Sequence, residues 1–88
     1  MNYRLLVDFE VVEFMATQKR ADQILLRKRF LEIRDWPSRY SDYREEDETG
    51  RPVEINVCGK YAIKYWDDFA DRHVKVLHVH LADHGSLR

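Results

Sequence analysis

The sequence predicts an α+β domain: an N-terminal strand, a helical hairpin, then a three-stranded antiparallel meander, with the hairpin on one face of a mostly antiparallel sheet. Three observations carry this prediction. Asn2 to Phe9 alternates apolar and polar residues. Glu10 to Ile33 carries apolar residues at helical spacing and ends at Trp36-Pro37. Val53 to Leu81 holds three further alternating runs, separated by Cys58-Gly59 and by an acidic, aromatic turn. A period of two marks strands and a period of 3.6 marks helices.

In the first strand, Tyr3, Leu5, Val7 and Phe9 share one face. Glu10 to Thr17 reads as a short helix bearing Val11, Val12, Phe14 and Met15. Ala21 to Ile33 reads as a longer helix with two apolar stripes. Ala21, Ile24, Leu25 and Leu31 form one, and Leu26, Phe30 and Ile33 the other. One stripe faces the sheet, and the other needs the first helix or a partner to cover it. Proline disfavours helical geometry in the residue before it, so the helix stops at Trp36. Ser38 to Pro52 is polar and turn-rich and reads as a loop. Strands are expected at about Val53–Val57, Lys60–Trp66 and Val74–Leu81, with a short tail from Ala82 to Arg88.

All 88 residues fit one domain, so residues 1–88 are read as a single unit. A single cysteine, Cys58, rules out an internal disulfide and fits a reducing compartment. Asp8 and Glu10 stand where a signal peptide would be apolar, and no apolar run approaches the roughly 20 residues of a membrane span. A cytoplasmic protein without a membrane partner is the expectation. Net charge is −1, yet the charges are segregated. Lys19 to Arg34 holds six basic residues against two acidic ones, whereas Asp42 to Glu48 holds five acidic residues against Arg44. This marks either one positive and one negative surface or merely a solvated helix followed by an acidic loop.

Face assignment gathers the chemistry. In the third run, Tyr61, Ile63 and Tyr65 suit the core, which places Lys60, Ala62, Lys64 and Trp66 on the open face. In the fourth, Leu77, Val79 and Leu81 suit the core, which places Val76, His78 and His80 opposite. Lys60 and Lys64 are phosphate-binding candidates, or ordinary surface lysines. Trp66 either stacks on a base or caps the sheet. Arg51 and Arg88 are cations near chain bends that suit an RNA backbone or simple solvation. His78 and His80 leave one face of a strand together. They suit acid–base work, plain hydrogen bonding, or, with Asp83 or His84, a zinc ion. Asp67, Asp68 and Asp71 lie in a turn and are given no metal role. Cys58 reads as a small sheet residue without a nucleophilic role. No phosphate-cradling glycine loop, dinucleotide fingerprint, nucleophile elbow or zinc cysteine cluster occurs.

Three segments together resemble the RelE/ParE superfamily of toxins from bacterial type II toxin–antitoxin modules. They are the strand and hairpin ending in Leu31 to Pro37, the Gly-x-Tyr-x-Ile-x-Tyr run from Gly59 to Tyr65, and the apolar last strand with its polar tail, Val74 to Arg88. The resemblance spans most of the chain and implies a RelE-like fold and a small antitoxin partner. A homodimer is a further state allowed. The superfamily's RNases cut messenger RNA in the ribosomal A site without a metal or other cofactor: the ribose 2′-oxygen attacks the adjacent phosphate and the 5′-oxygen leaves. On that reading Lys64 and Lys60 hold phosphate and His78, His80 or His84 move protons, so the catalytic candidates are Lys64, His78, His80 and His84. Arg51, Lys60, Trp66 and Arg88 contact RNA, and Leu26, Arg27, Phe30 and Ile33 receive the antitoxin. Where those RNases carry a phosphate-holding arginine this chain has Ala62, with Lys64 two residues on. The alternative reading is a non-catalytic interaction module on the same fold, for example a ParE-like inhibitor of gyrase.

Overall fold

The computed structural model describes residues 3–82. Its elements are β1 (Arg4–Val7), α1 (Phe9–Ala16), α2 (Arg20–Asp35), β2 (Tyr43–Glu46), β3 (Pro52–Cys58), β4 (Tyr61–Asp68) and β5 (His73–Leu81). The strands form one five-stranded sheet in the order β1-β5-β4-β3-β2. β1 runs parallel to β5, and every other pairing is antiparallel. The predicted hairpin and meander are present, with one strand more than expected.

β1 ends early. The Asp8 amide donates to Val76 O, and Asp8 O then accepts from the amides of Val11 and Val12 to open α1. Phe9 is therefore the first residue of α1, mostly exposed, and does not extend the inward face of the strand. At the other end of α1, Gln23 Nε2 reaches back to Met15 O and Gln18 O, and Thr17 Oγ1 donates to Phe14 O. Carbonyls that a helix end leaves unpaired are thus satisfied by side chains. α2 stops at Trp36, ahead of Pro37.

The core lies between the hairpin and one sheet face. It joins Val11, Leu26, Phe30 and Ile33 of the helices to Cys58, Tyr61, Ile63, Tyr65, Val74, Val76 and Val79 of the strands. The orientation of α2 is therefore the reverse of the expectation. Leu26 and Ile33 are 0% exposed, whereas Ile24 on the other stripe is 59% exposed. The cause is on the helix surface: Arg20, Arg27 and Lys28 lie one turn from Ile24, so that stripe shares its side with charge. Both core tyrosines find partners for their hydroxyls. Tyr65 donates to Pro37 O, and the Tyr61 hydroxyl lies 2.8 Å from Gln18 Oε1 and 3.0 Å from Asp22 Oδ2. Burial raises the pKa of both phenols.

β2 occupies part of what reads in sequence as a loop. All four of its residues are exposed, so the period-two signal of burial is absent. Backbone pairing with β3 holds it, with Arg44 Nε 3.0 Å from Glu54 Oε2 on the adjacent strand. The β2–β3 turn closes on Asp47. Its Oδ1 accepts from the amides of Thr49 and Arg51 and from Thr49 Oγ1, its Oδ2 accepts from Arg51 Nε, and Gly50 takes φ +84°. Those bonds, led by the one from the Thr49 hydroxyl, bring the Asp47 carboxyl down to about 2.

β5 carries a β-bulge. Tyr65 pairs with Val76 while Lys64 pairs with His78, so Leu77 has no opposite residue. The bulge shifts the parity of the strand: Val74 and Val76 face the core before it, and Val79 after it. Val76 is thus a core residue, contrary to the strict alternation; Leu77 is only half-buried and Leu81 is exposed.

Candidate active site

The open face of the sheet is assembled by register. Row by row across the strands, Tyr43, Ile55, Lys64 and His78 lie abreast, and beside them Val57, Ala62 and His80. The bulge at Leu77 brings the two histidines onto this face although Val76 points to the core. Lys64, His78 and His80 therefore share one surface, as the alternation predicted. The imidazole rings of His78 and His80 lie 5.2 Å apart between centres, tilted by 34°.

The surroundings act on the His80 imidazole. Partial burial lowers the pKa of His80 most, and the neighbouring His78 and Lys64 lower it further against an opposing pull from Glu45. A neutral imidazole beside a lysine is the arrangement expected of a proton acceptor near an anion-binding group. Lys64 Nζ is 3.5 Å from Glu45 Oε1, a carboxylate contributed by β2. Glu45 is invisible as a site residue in the sequence because β2 lacks alternating burial. Its sequence signal is slight: it lies two residues from Tyr43 and so shares its face.

Arg51 and Trp66 form one unit. The Arg51 guanidinium lies 4.3 Å from the centre of the Trp66 ring and is held by Asp47. Such stacking presents a cation on an aromatic surface. One face of Trp66 is thus covered by arginine, so the pair offers a guanidinium rather than a bare stacking platform.

Lys60 is elsewhere. It lies in the turn between β3 and β4, and its ammonium is 3.3 Å from Asp22 Oδ2 in the first turn of α2. The expectation that Lys60 and Lys64 share a face is corrected, because β4 begins at Tyr61 and the turn swings Lys60 toward the helices. The hydrogen bond from Tyr61 lowers the Asp22 carboxyl, and Lys60 adds to the effect. Lys60 thus belongs to a Tyr61–Asp22 cluster at the helix end. His84 and Arg88 lie outside the described residues. So does Asp83, and among the described residues His78 and His80 have no third ligand close enough to complete a zinc set.

The predicted partner surface also moves. Leu26, Phe30 and Ile33 are core residues, so they offer no exposed docking stripe. Arg27 remains exposed. It rims a groove of about 370 Å³ between α1, α2 and β1, floored by Leu5, Val7, Met15 and Phe30, with Arg20 on the same rim. At the far side of α2, the buried Asn56 of β3 accepts from Arg29 Nη1 and donates to Tyr40 O and Asp42 Oδ2, which fastens the helix and the following loop to the sheet.

No protein-family model and no curated protein matches this sequence. Solved structures do. The RelE–RelB complex of Pyrococcus horikoshii is 24% identical, over 93% of this chain and 97% of that one, with a TM-score of 0.68. The isolated RelE toxin of E. coli is 16% identical over 94% of this chain and 87% of that one, with a TM-score of 0.73. In the E. coli RelBE toxin–antitoxin complex the identity is again 16%, over 94% of this chain and 100% of that one, with a TM-score of 0.72. The chain has the RelE-like fold.

Proposed function

We propose that this chain is the toxin of a toxin–antitoxin pair and that it cleaves messenger RNA on the ribosome through the open face of its sheet. The observation that carries this reading is the cross-strand placement of Lys64 opposite His78, with His80 on the same face. The shared fold supports it, since similar structures are RelE toxins, alone or with RelB.

The residues supply what the reaction needs. His80, held neutral by its surroundings, takes the proton from the ribose 2′-hydroxyl as the 2′-oxygen attacks phosphorus. Lys64, with the stacked Arg51 beyond it, offsets the charge that grows on the phosphate oxygens. His78, when protonated, returns a proton to the departing 5′-oxygen. The products are a 2′,3′-cyclic phosphate and a free 5′-hydroxyl, and no metal is required. Glu45 would exchange its contact with Lys64 for the incoming phosphate.

The antitoxin docks in the groove rimmed by Arg20 and Arg27 rather than on Leu26, Phe30 and Ile33. Its apolar floor and basic rim suit an amphipathic segment with acidic flanks.

A second reading has its own observation. Ala62 stands opposite His80, where the superfamily's RNases place an arginine, and a small apolar side chain holds no phosphate. On that reading the chain is a non-catalytic interaction module, such as an inhibitor of gyrase. Inducing the protein in bacteria and mapping messenger 5′ ends separates the two. New 5′ ends within coding regions, lost in the Lys64→Ala, His78→Ala, His80→Ala triple variant, support the RNase. Growth arrest with DNA damage and intact messages, unchanged in that variant, supports the module; normal growth with intact messages rejects the toxin.

A further inference from the structure

We infer that the turn joining β4 to β5 is a binding site for a divalent transition-metal ion of the zinc class, with Asp68, Asp71 and His73 as ligands. In sequence this turn shows only clustered carboxylates. The fold adds the imidazole: His73, the first residue of β5, is the ladder partner of Asp68, the last residue of β4. One ligating atom from each of the three side chains lies within 4.8 Å of the other two.

The local geometry fits an ion better than it fits a hydrogen bond. His73 Nε2 and Asp68 Oδ2 are 3.6 Å apart, with side chains only 12% and 13% exposed. That is too long for a hydrogen bond. Two ligands held about 2.1 Å from one zinc ion at a tetrahedral angle lie about 3.4 Å apart. Asp68 Oδ1 is engaged by the Asp71 amide, which leaves Oδ2 free and draws Asp71 over the pair. The imidazole is fixed as well. It packs edge-to-face with Trp66, centres 6.0 Å apart at 90°. Its Nε2 is the nitrogen that faces Asp68, 3.6 Å from Oδ2.

The donor set decides the ion. Calcium and magnesium take oxygen ligands, whereas imidazole with carboxylates suits zinc and its neighbours. Two carboxylates balance the ion's charge. Three protein ligands leave one position for water. The bound ion would pin the ends of the β4–β5 turn, in which Arg72 takes φ +55°.

Calorimetric titration of zinc into the chelator-treated full chain tests this. One zinc per chain is expected, with a rise in Tm on loading. Asp71→Asn, at an exposed position whose side chain makes no hydrogen bond among the described residues, is expected to weaken binding by about tenfold or more while the apo protein keeps its Tm. His73→Gln should remove binding. His78→Ala with His80→Ala should leave it intact. Absence of saturable binding overturns the inference, as does binding that survives Asp71→Asn and His73→Gln unchanged or that is lost in the His78/His80 variant.

Discussion

Lys64 and His78 are direct cross-strand partners on the open face, while the next residue of β4, Tyr65, pairs with Val76 in the core. One unpaired residue, Leu77, separates a buried apolar pair from an exposed pair carrying a cation and an imidazole. Without the bulge, the residue opposite Lys64 would be Leu77. The candidate chemistry of this sheet therefore depends on a one-residue irregularity. What matters is the register that the extra residue sets in this sequence: deleting Leu77 should leave His78 opposite Lys64 in a regular ladder and so preserve RNA cleavage where the chain still folds, which circular dichroism and a cleavage assay on the same preparation would show.

The His80 imidazole should titrate below the ordinary histidine value, because partial burial, His78 and Lys64 all oppose its charge. Replacing Lys64 with alanine should raise its midpoint, read from the imidazole proton shifts in an NMR titration. The sign for stability follows. Protonation is harder in the folded state, so His80's contribution is complete above about pH 6.5, the unfolded value, and declines as pH falls toward the lowered folded value. A midpoint unmoved by Lys64→Ala would show that the two groups do not interact.

Cleavage should fall by about 10²- to 10⁴-fold in His80→Ala, the range associated with loss of a general base. His80→Gln should do no better, since glutamine cannot take the proton. Single-turnover rates on programmed ribosomes measure this, and a rate within about twofold of the parent would remove His80 from the mechanism.

Leu26→Ala should destabilise the protein by about 2–5 kcal/mol, as buried leucines do when truncated. Ile24→Ala, on the exposed stripe, should change stability by about 0.5 kcal/mol or less. Urea denaturation compares them directly. Equal effects would contradict the inward orientation of Leu26, Phe30 and Ile33.

Asp47→Ala should loosen the β2–β3 turn, seen as faster amide exchange at Thr49 and Arg51, because one carboxylate accepts both amides. Its contribution to stability is present above the ordinary carboxylate value of 3.8 and is lost as pH falls through about 2. Unchanged exchange rates would mean the turn is held by other contacts.

Much of the fold can be read from the sequence, because periodicity reports burial wherever one face is dry and the other wet. The first half of β5 obeys it, whereas β3 buries Val53 and Ile55 on one face and Asn56 and Cys58 on the other, and β4 buries Tyr61, Ala62 and Ile63 in succession. β2 does not obey it either, since Tyr43 to Glu46 is exposed on both faces and only its backbone pairing defines it. α2 misleads because both stripes are apolar; the discriminating signal is Arg20, Arg27 and Lys28 crowding Ile24. Within the site, Lys64, His78 and His80 are legible from alternation on each side of the bulge. Lys60 is not, because one turn residue decides which way it points. The Asp68–His73 pairing was out of reach for a different reason: register between two strands is not written in either strand alone.

The parallel pairing of β1 with β5 has a consequence for synthesis. β1 precedes the other described strands in the chain, yet among the described residues its neighbour in the sheet is β5, which follows them all. A growing chain can form its helices and the β2–β3–β4 ribbon early, but β1 stays unpaired until residues 73–81 leave the ribosome. His78 and His80 arrive in that same final segment. A translation product broken off before it would have neither the five-stranded sheet nor the two imidazoles, so the proposed activity would begin only once residues 73–81 are made.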